Sequence, residues 1–293
     1  MLLKLGVKGE QVKQVQQFLS ITESGVFDVA TENAVKNWQK ANNLSADGKV
    51  GPKTWEAMGI ASTDLREISE SKESLIIDRS YLSIGQYHAG PTKKEWVFLH
   101  HTAGWNNPYA TIKDWNNDTR GRIATEFVIG GLKITDNDPK YDGVVVQAFP
   151  DGGYAAHLGI NSVMHNNSVG IEVCNFGGLG IDGNTWSKSK PDPSQTVTLA
   201  KPFRGYKSFQ RYSDKQIQSL KELLLFIAER DNIDVRKGLP ELIKQKGADA
   251  FDVYDVKMCE AQKGVWCHTN VRKASEKQDM FPQPELIDML LSL

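Results

Sequence analysis

The sequence predicts an α/β fold, a central mixed β-sheet flanked by helices, preceded by a small N-terminal three-helix domain. Three observations carry that expectation. Apolar runs of strand length alternate with helical patterns beyond residue 76, residues 1–59 show helical spacing broken by glycine turns, and the stretch between them is polar and charged. Periodicity alone gives a sheet flanked by helices and leaves α/β and α+β open.

In the first segment Val12, Val15 and Leu19 fall on one face of a helix. Ala34, Val35 and Trp38 repeat that face behind Thr31, which reads as an N-cap. Asp47-Gly48-Lys49-Val50-Gly51-Pro52-Lys53-Thr54-Trp55 is a glycine turn leading into a third short helix, and Gly25 to Thr31 has the same turn-then-threonine order, an internal echo. Residues 60–75, with Asp64, Glu67, Glu70, Lys72 and Glu73, read as a linker to a larger domain over 76–293.

Strands are expected at Val97-Phe98-Leu99, Phe127-Val128-Ile129, Gly143 to Phe149 and Val169 to Val173. Ser213 then caps a helix with the apolar face Ile217, Leu220, Leu224 and Ile227. Residues 175–211, rich in Gly, Ser and Pro, read as a long loop insertion of the kind that is functional or mobile.

Lys and Arg (35) nearly cancel Asp and Glu (36), leaving a net charge of −1, so no field for nucleic acid or an anionic membrane is built in. The longest apolar run, Leu223 to Ala228, is far short of the roughly 20 residues of a membrane span. Cys174, Cys259 and Cys267 are too few and odd in number for a disulfide framework and read as buried thiols in a reducing compartment. Met1 to Lys8 lacks the apolar core of a signal peptide, so a soluble cytosolic product, expected to be a monomer, follows.

The chemistry gathers in two places. His100-His101 ends an apolar strand run, and Trp266-Cys267-His268 is followed by Lys277-Gln278-Asp279. A His at a strand end, a distant His and a nearby carboxylate can supply three ligands, and three protein ligands with one open position is the catalytic zinc arrangement. Strand alternation sends His100 and His101 to opposite faces, so only one of them is expected on the metal. The same alternation argues against Cys267 as a ligand beside His268.

Two resemblances sharpen this. Leu5-Gly6-Val7-Lys8-Gly9, Val15-Gln16, Trp38-Gln39 and Asp47 to Trp55 resemble the peptidoglycan-binding module of cell-wall hydrolases, which implies retention on bacterial peptidoglycan. Leu99-His100-His101-Thr102-Ala103, Ser168-Val169-Gly170-Ile171-Glu172 and the His268-to-Asp279 segment resemble the zinc-dependent N-acetylmuramoyl-L-alanine amidases, whose fold is shared with peptidoglycan-recognition proteins. That resemblance implies zinc held by His100, His268 and Asp279, with Glu172 as general base and Lys277 as the cation facing the oxyanion. Some members carry Cys at the last ligand position; this chain has none after His268.

His157 matches a family position lining the cleft and is a candidate substrate contact. Thr125 stands where relatives often carry a catalytic-site Tyr, which shifts weight to Glu172, with Glu126 as reserve base. His88 and His165 have no discriminating context. The resemblance implies cleavage of the amide between N-acetylmuramic acid and L-alanine. A wall-binding module without a signal peptide further implies a phage lysis enzyme made in the host cytoplasm. The alternatives are a non-catalytic peptidoglycan receptor, which commonly lacks a zinc ligand, and a zinc peptidase of the stem peptide, whose ligand motifs differ.

Overall fold

The computed structural model describes residues 3–7, 9–42, 44–58 and 75–293, so the expected linker lies, but for Leu75, outside the described residues. The chain forms two compact units, Met1–Ser74 and Leu75–Leu293.

The first unit holds helices α1 (Glu10–Phe18), α2 (Val29–Ala41) and α3 (Pro52–Met58). Leu3, Val12, Val15, Phe27, Val35, Val50, Trp55 and Met58 form its core. The cap of α2 differs from the expectation. Asp28 accepts from the Thr31 backbone N–H, and the Thr31 hydroxyl donates to Asp28 as well, so Thr31 lies inside the first turn.

The internal echo is a structural repeat built on two buried glutamines. Gln16 donates to the Ser24 hydroxyl, the Val26 carbonyl and the Thr31 hydroxyl, and accepts from the Gly25 N–H. Gln39 makes the same four bonds, at the same sequence offsets, to Asp47, the Lys49 carbonyl, Thr54 and the Gly48 N–H. Each amide ties a helix to the glycine turn and threonine that open the next helix, satisfying donors and acceptors that burial would otherwise leave costly.

The second unit is built on a six-stranded sheet of β1 (Ile77–Arg79), β2 (Trp96–His101), β3 (Phe127–Ile129), β4 (Val145–Gln147), β5 (Ser168–Val173) and β8 (Gly264–Cys267), in the order β1-β4-β3-β5-β2-β8. Only the β3–β4 pairing is antiparallel, which makes the sheet mixed. Alternate residues of β3 and β4 feed two cores. Val128 and Val146 pack with Ile112 of α4 (Pro108–Asn116). Phe127, Ile129 and Val145 join Leu220, Leu224 and Ile227 of α5 (Asp214–Asp231). Ser213 caps α5 through a capping box with Gln216, as its sequence predicts.

Chain order continues through α6 (Leu239–Lys246), α7 (Val256–Ala261), the short α8 (His268–Val271) and α9 (Pro284–Leu291), with α9 packed on α5 and α6. The 175–211 insertion is not a plain loop. It contains the antiparallel hairpin β6 (Thr196–Phe203) and β7 (Tyr206–Gln210), whose Leu199, Phe203 and Phe209 enter the main core. Among the described residues no helix is long and apolar enough to cross a membrane.

Candidate active site

Three neighbouring strands, β5, β2 and β8, run parallel and end together, and the carboxyl ends of parallel strands are where open α/β sheets bind ligands. Register places Glu172 of β5 beside His100 of β2. Cys267 ends β8 opposite Leu99, which puts His268, the first residue of α8, next in line beside His100. The loop after α8 brings in Lys277 and Asp279. Buried Arg204, on the β6–β7 turn, pins that loop by donating to the carbonyls of Thr269, Arg272 and Lys277 while pairing with Asp252.

His100 Nδ1, His268 Nδ1 and Asp279 Oδ2 converge. The two nitrogens are 2.9 Å apart, and the carboxylate oxygen is 3.0 Å from His268 and 3.4 Å from His100. Among the described residues this is the group able to hold a metal ion, all three members being buried. His268 Nε2 lies 3.2 Å from the Leu158 carbonyl, which can only accept. A neutral imidazole donating there presents a bare lone pair at Nδ1.

His100 Nε2 lies 3.0 Å from His157 Nδ1, and His157 Nε2 lies 2.9 Å from the Ser168 hydroxyl. Outer partners of this kind fix the tautomer of a metal-binding imidazole. Burial, then the neighbouring His268, pushes His100 down to about 4, so it is uncharged at neutral pH. Burial raises Asp279, but hydrogen bonds from His100 and His268 prevail and hold its carboxyl well below the usual range. A cation can take the place of those hydrogens: with the rings donating outward instead, toward His157 Nδ1 and the Leu158 carbonyl, two lone-pair nitrogens and a carboxylate face one point. Zinc–ligand bonds of about 2.1 Å at tetrahedral angles set neighbouring ligand atoms about 3.4 Å apart, so this triangle fits with an opening of a few tenths of an ångström.

Beside the triad is a cleft of about 330 Å³ whose lining includes His101, Glu172, Lys277 and Asp279. Glu172 is half-buried, yet its Oε2 is sealed from solvent with no hydrogen-bond partner. Burial, then the Asp279 charge, pushes its carboxyl well above the usual range, with Lys277 opposing. Gly170, two residues before Glu172 on the same face, is required: a Cβ there would sit 2.8 Å from Thr125 Cγ2 and 3.0 Å from His157 Nδ1, displacing the imidazole that backs His100.

The remaining expected site residues fall elsewhere. His157 stands behind His100 and is absent from the cleft lining. Thr125 is 1% exposed and its hydroxyl donates to the Phe127 carbonyl, so it presents no surface to a substrate. Glu126 is held by Arg230 and Gln147, far too committed to serve as a free base. Cys267 is fully buried and outside the triad. His88 stacks on Tyr154, and His165 lies over His157. His101 takes the other face, with Nδ1 2.9 Å from the Tyr212 hydroxyl, but it also reaches the cleft lining.

Sequence reading gave no role to Ser168, Arg204 or Tyr212. Ser168 opens the Ser168-to-Glu172 motif, and Gln283, flanked by Pro282 and Pro284, brackets the Tyr212 main chain with two hydrogen bonds.

Two stretches of the chain match known families. Residues 8–58 match a putative peptidoglycan binding domain, and residues 90–279 match N-acetylmuramoyl-L-alanine amidase. Among solved structures, a peptidoglycan-binding protein from Clostridioides difficile in complex with glutamine hydroxamate is 36% identical over 20% of this chain and 40% of its own, with a TM-score of 0.20. A Burkholderia AP3 phage endolysin is 28% identical over 24% of this chain and 32% of its own, with a TM-score of 0.20. The E. coli amidase AmiD in complex with anhydro-N-acetylmuramic acid-L-Ala-D-gamma-Glu-L-Lys is 19% identical over 50% of this chain and 48% of its own, with a TM-score of 0.32. The chain thus spans less than half the length of each of these three. No curated protein matches it. The amidase match covers well over half of the chain and takes in all five residues that build the site, together with His157 and Ser168 behind His100, with Asp279 as its last residue: the chain belongs to the N-acetylmuramoyl-L-alanine amidase family.

Proposed function

We propose that this chain is a zinc-dependent peptidoglycan hydrolase that cleaves the amide between N-acetylmuramic acid and L-alanine, with the N-terminal unit retaining it on the wall. The observation that carries the reading is the convergence of three buried ligand atoms beside a cleft holding a sealed, partnerless carboxylate oxygen.

His100, His268 and Asp279 hold the metal, and His157 with Ser168 keeps the His100 ring in place. A zinc ion there supplies a Lewis acid for the scissile carbonyl and a water acidic enough to ionise near neutral pH. Glu172, in the cleft lining, accepts the proton of the attacking water. Its raised proton affinity then suits it to hold that proton and deliver it to the departing L-alanine nitrogen. Lys277, exposed in the cleft lining, sets a positive charge against the oxygen that becomes negative as the carbonyl is attacked.

Pairing a peptidoglycan-binding match with an amidase match in one chain supports a lytic role, of which release of phage from a bacterial host is the reading we favour. Tethering a weak wall binder to an enzyme raises its effective concentration on an insoluble polymer.

Mass spectrometry of digested peptidoglycan tests the activity. New L-alanine N-termini with free lactyl carboxyls are the expected products. Cuts between amino acids would assign a peptidase, and binding without cleavage a receptor.

A further inference from the structure

The cleft lining divides by chemistry. Ser275, Glu276, Lys277 and Gln278 form a polar, charged part, while Ala103, Phe176, Gly178, Trp186 and Tyr206 form a part with no charged side chain. Trp186, from the insertion, is 69% exposed, and Trp105 is 49% exposed. Large apolar rings left open to water beside a reaction centre are informative in a way that scattered surface leucines are not.

These rings are fixed in place. The Trp186 indole N–H donates to the Ala103 carbonyl at 2.7 Å, two residues past His101, where the backbone turns at a φ of 50°. Phe176 lies between the two tryptophans, with ring centres 5.0 Å from Trp105 and 6.2 Å from Trp186. Tyr206 lies against Gly178, where a Cβ would collide with its ring. The result is a preorganised aromatic wall on the cleft, with the exposed Trp186 resting on Phe176, which is itself 3% exposed.

We propose that Trp186, braced from beneath by the buried Phe176, is a saccharide-stacking subsite that selects substrates by the muramic acid ring. This rests on the amidase reading above. In that substrate the sugar is one lactyl arm from the reacting carbonyl, so it must lie close to the triad on one side while the stem peptide leaves on the other. A sugar ring offers an apolar C–H face that an indole covers well, whereas the peptide carries carboxylates that suit the Lys277 side. Charge and shape therefore assign the glycan to the aromatic wall.

The test compares two soluble substrates, N-acetylmuramoyl-dipeptide and the same dipeptide capped by D-lactoyl alone. In the full-length zinc enzyme the ratio of kcat/KM values, sugar-bearing over sugarless, should favour the sugar. Trp186→Ala should lower that ratio roughly tenfold, and Trp186→Phe, which keeps an aromatic face but loses the N–H anchor, by about threefold. An unchanged ratio in both variants, with both substrates slowed alike, would overturn the subsite. No cleavage of the lactyl–alanine bond in either substrate by the unaltered chain would overturn the amidase reading and the subsite with it.

Discussion

The glutamine brackets of the first unit and the triad of the second bury polar groups in opposite ways. In the N-terminal unit the glutamine brackets match donor to acceptor, so that Gln16 and Gln39 each satisfy four hydrogen bonds inside the fold. In the larger unit His100, His268 and Asp279 turn ligand atoms toward one another, and Glu172 Oε2 is sealed with no partner at all. Matched polar burial holds a structure together; unmatched burial costs stability and persists where a ligand or reaction completes it. The contrast is between these clusters and not between whole units, since Gln14 Oε1 and Trp55 Nε1 of the first unit are also buried without a partner.

The largest effect that could break this contrast is metal removal. Dialysis against a strong chelator should reduce wall lysis by at least about a thousandfold, with zinc restoring it, because the triad has no other means of activating water. Full activity in metal-free protein would show the convergence to be structural. Next is Glu172→Gln, which should lower kcat by roughly a hundred- to ten-thousandfold while zinc content stays at one per chain. Metal analysis alongside turnover checks both halves, and an active, zinc-loaded Glu172→Gln enzyme would move the base elsewhere.

How much of this was legible in the sequence follows from the range of the interactions. Strands β2, β3 and β5 were readable because each is a compact apolar run, and Ser213 because capping is local. The site residues His100, Glu172, His268, Lys277 and Asp279 stood out through family motifs, and the structure brings all five to one place. The hairpin of β6 and β7 was hidden because Thr, Lys and Ser are interspersed along it, so that composition reads as loop although Leu199, Phe203 and Phe209 enter the core and Val197 and Tyr206 pack against it. β8 is four residues long, too short for periodicity to register. His157 reads as a cleft residue from its motif, but its contact with His100 spans 57 residues of sequence, and only the packing around Gly170 reveals it.

A smaller effect sharpens the role of that hidden contact. His157→Ala should weaken zinc affinity by roughly ten- to a hundredfold, since the His100 ring loses the partner that fixes its tautomer. Competition with a zinc-binding dye measures this directly. If His157 instead met substrate, zinc affinity would hold and KM would rise.

The smallest effect tests the opposite unit. Gln16→Ala or Gln39→Ala removes one bracket and leaves a buried glycine N–H and a threonine hydroxyl without their shared partner, a loss of roughly 1–3 kcal/mol. A unit this small has only a few kcal/mol to lose, so hydrogen exchange should accelerate across residues 9–58. Exchange over residues 75–293 and turnover of a soluble muropeptide should not change, because neither glutamine touches the reaction centre. The two brackets differ in one partner: Gln39 donates to the Asp47 carboxylate where Gln16 donates to the Ser24 hydroxyl. Hydrogen bonds to charged acceptors are stronger, so Gln39→Ala should cost about 0.5 kcal/mol more than Gln16→Ala. Equal costs would mean that the Asp47 charge is screened by solvent and that the repeat is energetically as well as geometrically symmetric. A change in muropeptide turnover would mean that the matched polar groups of the first unit also serve the chemistry of the second, and the division drawn between them would fall.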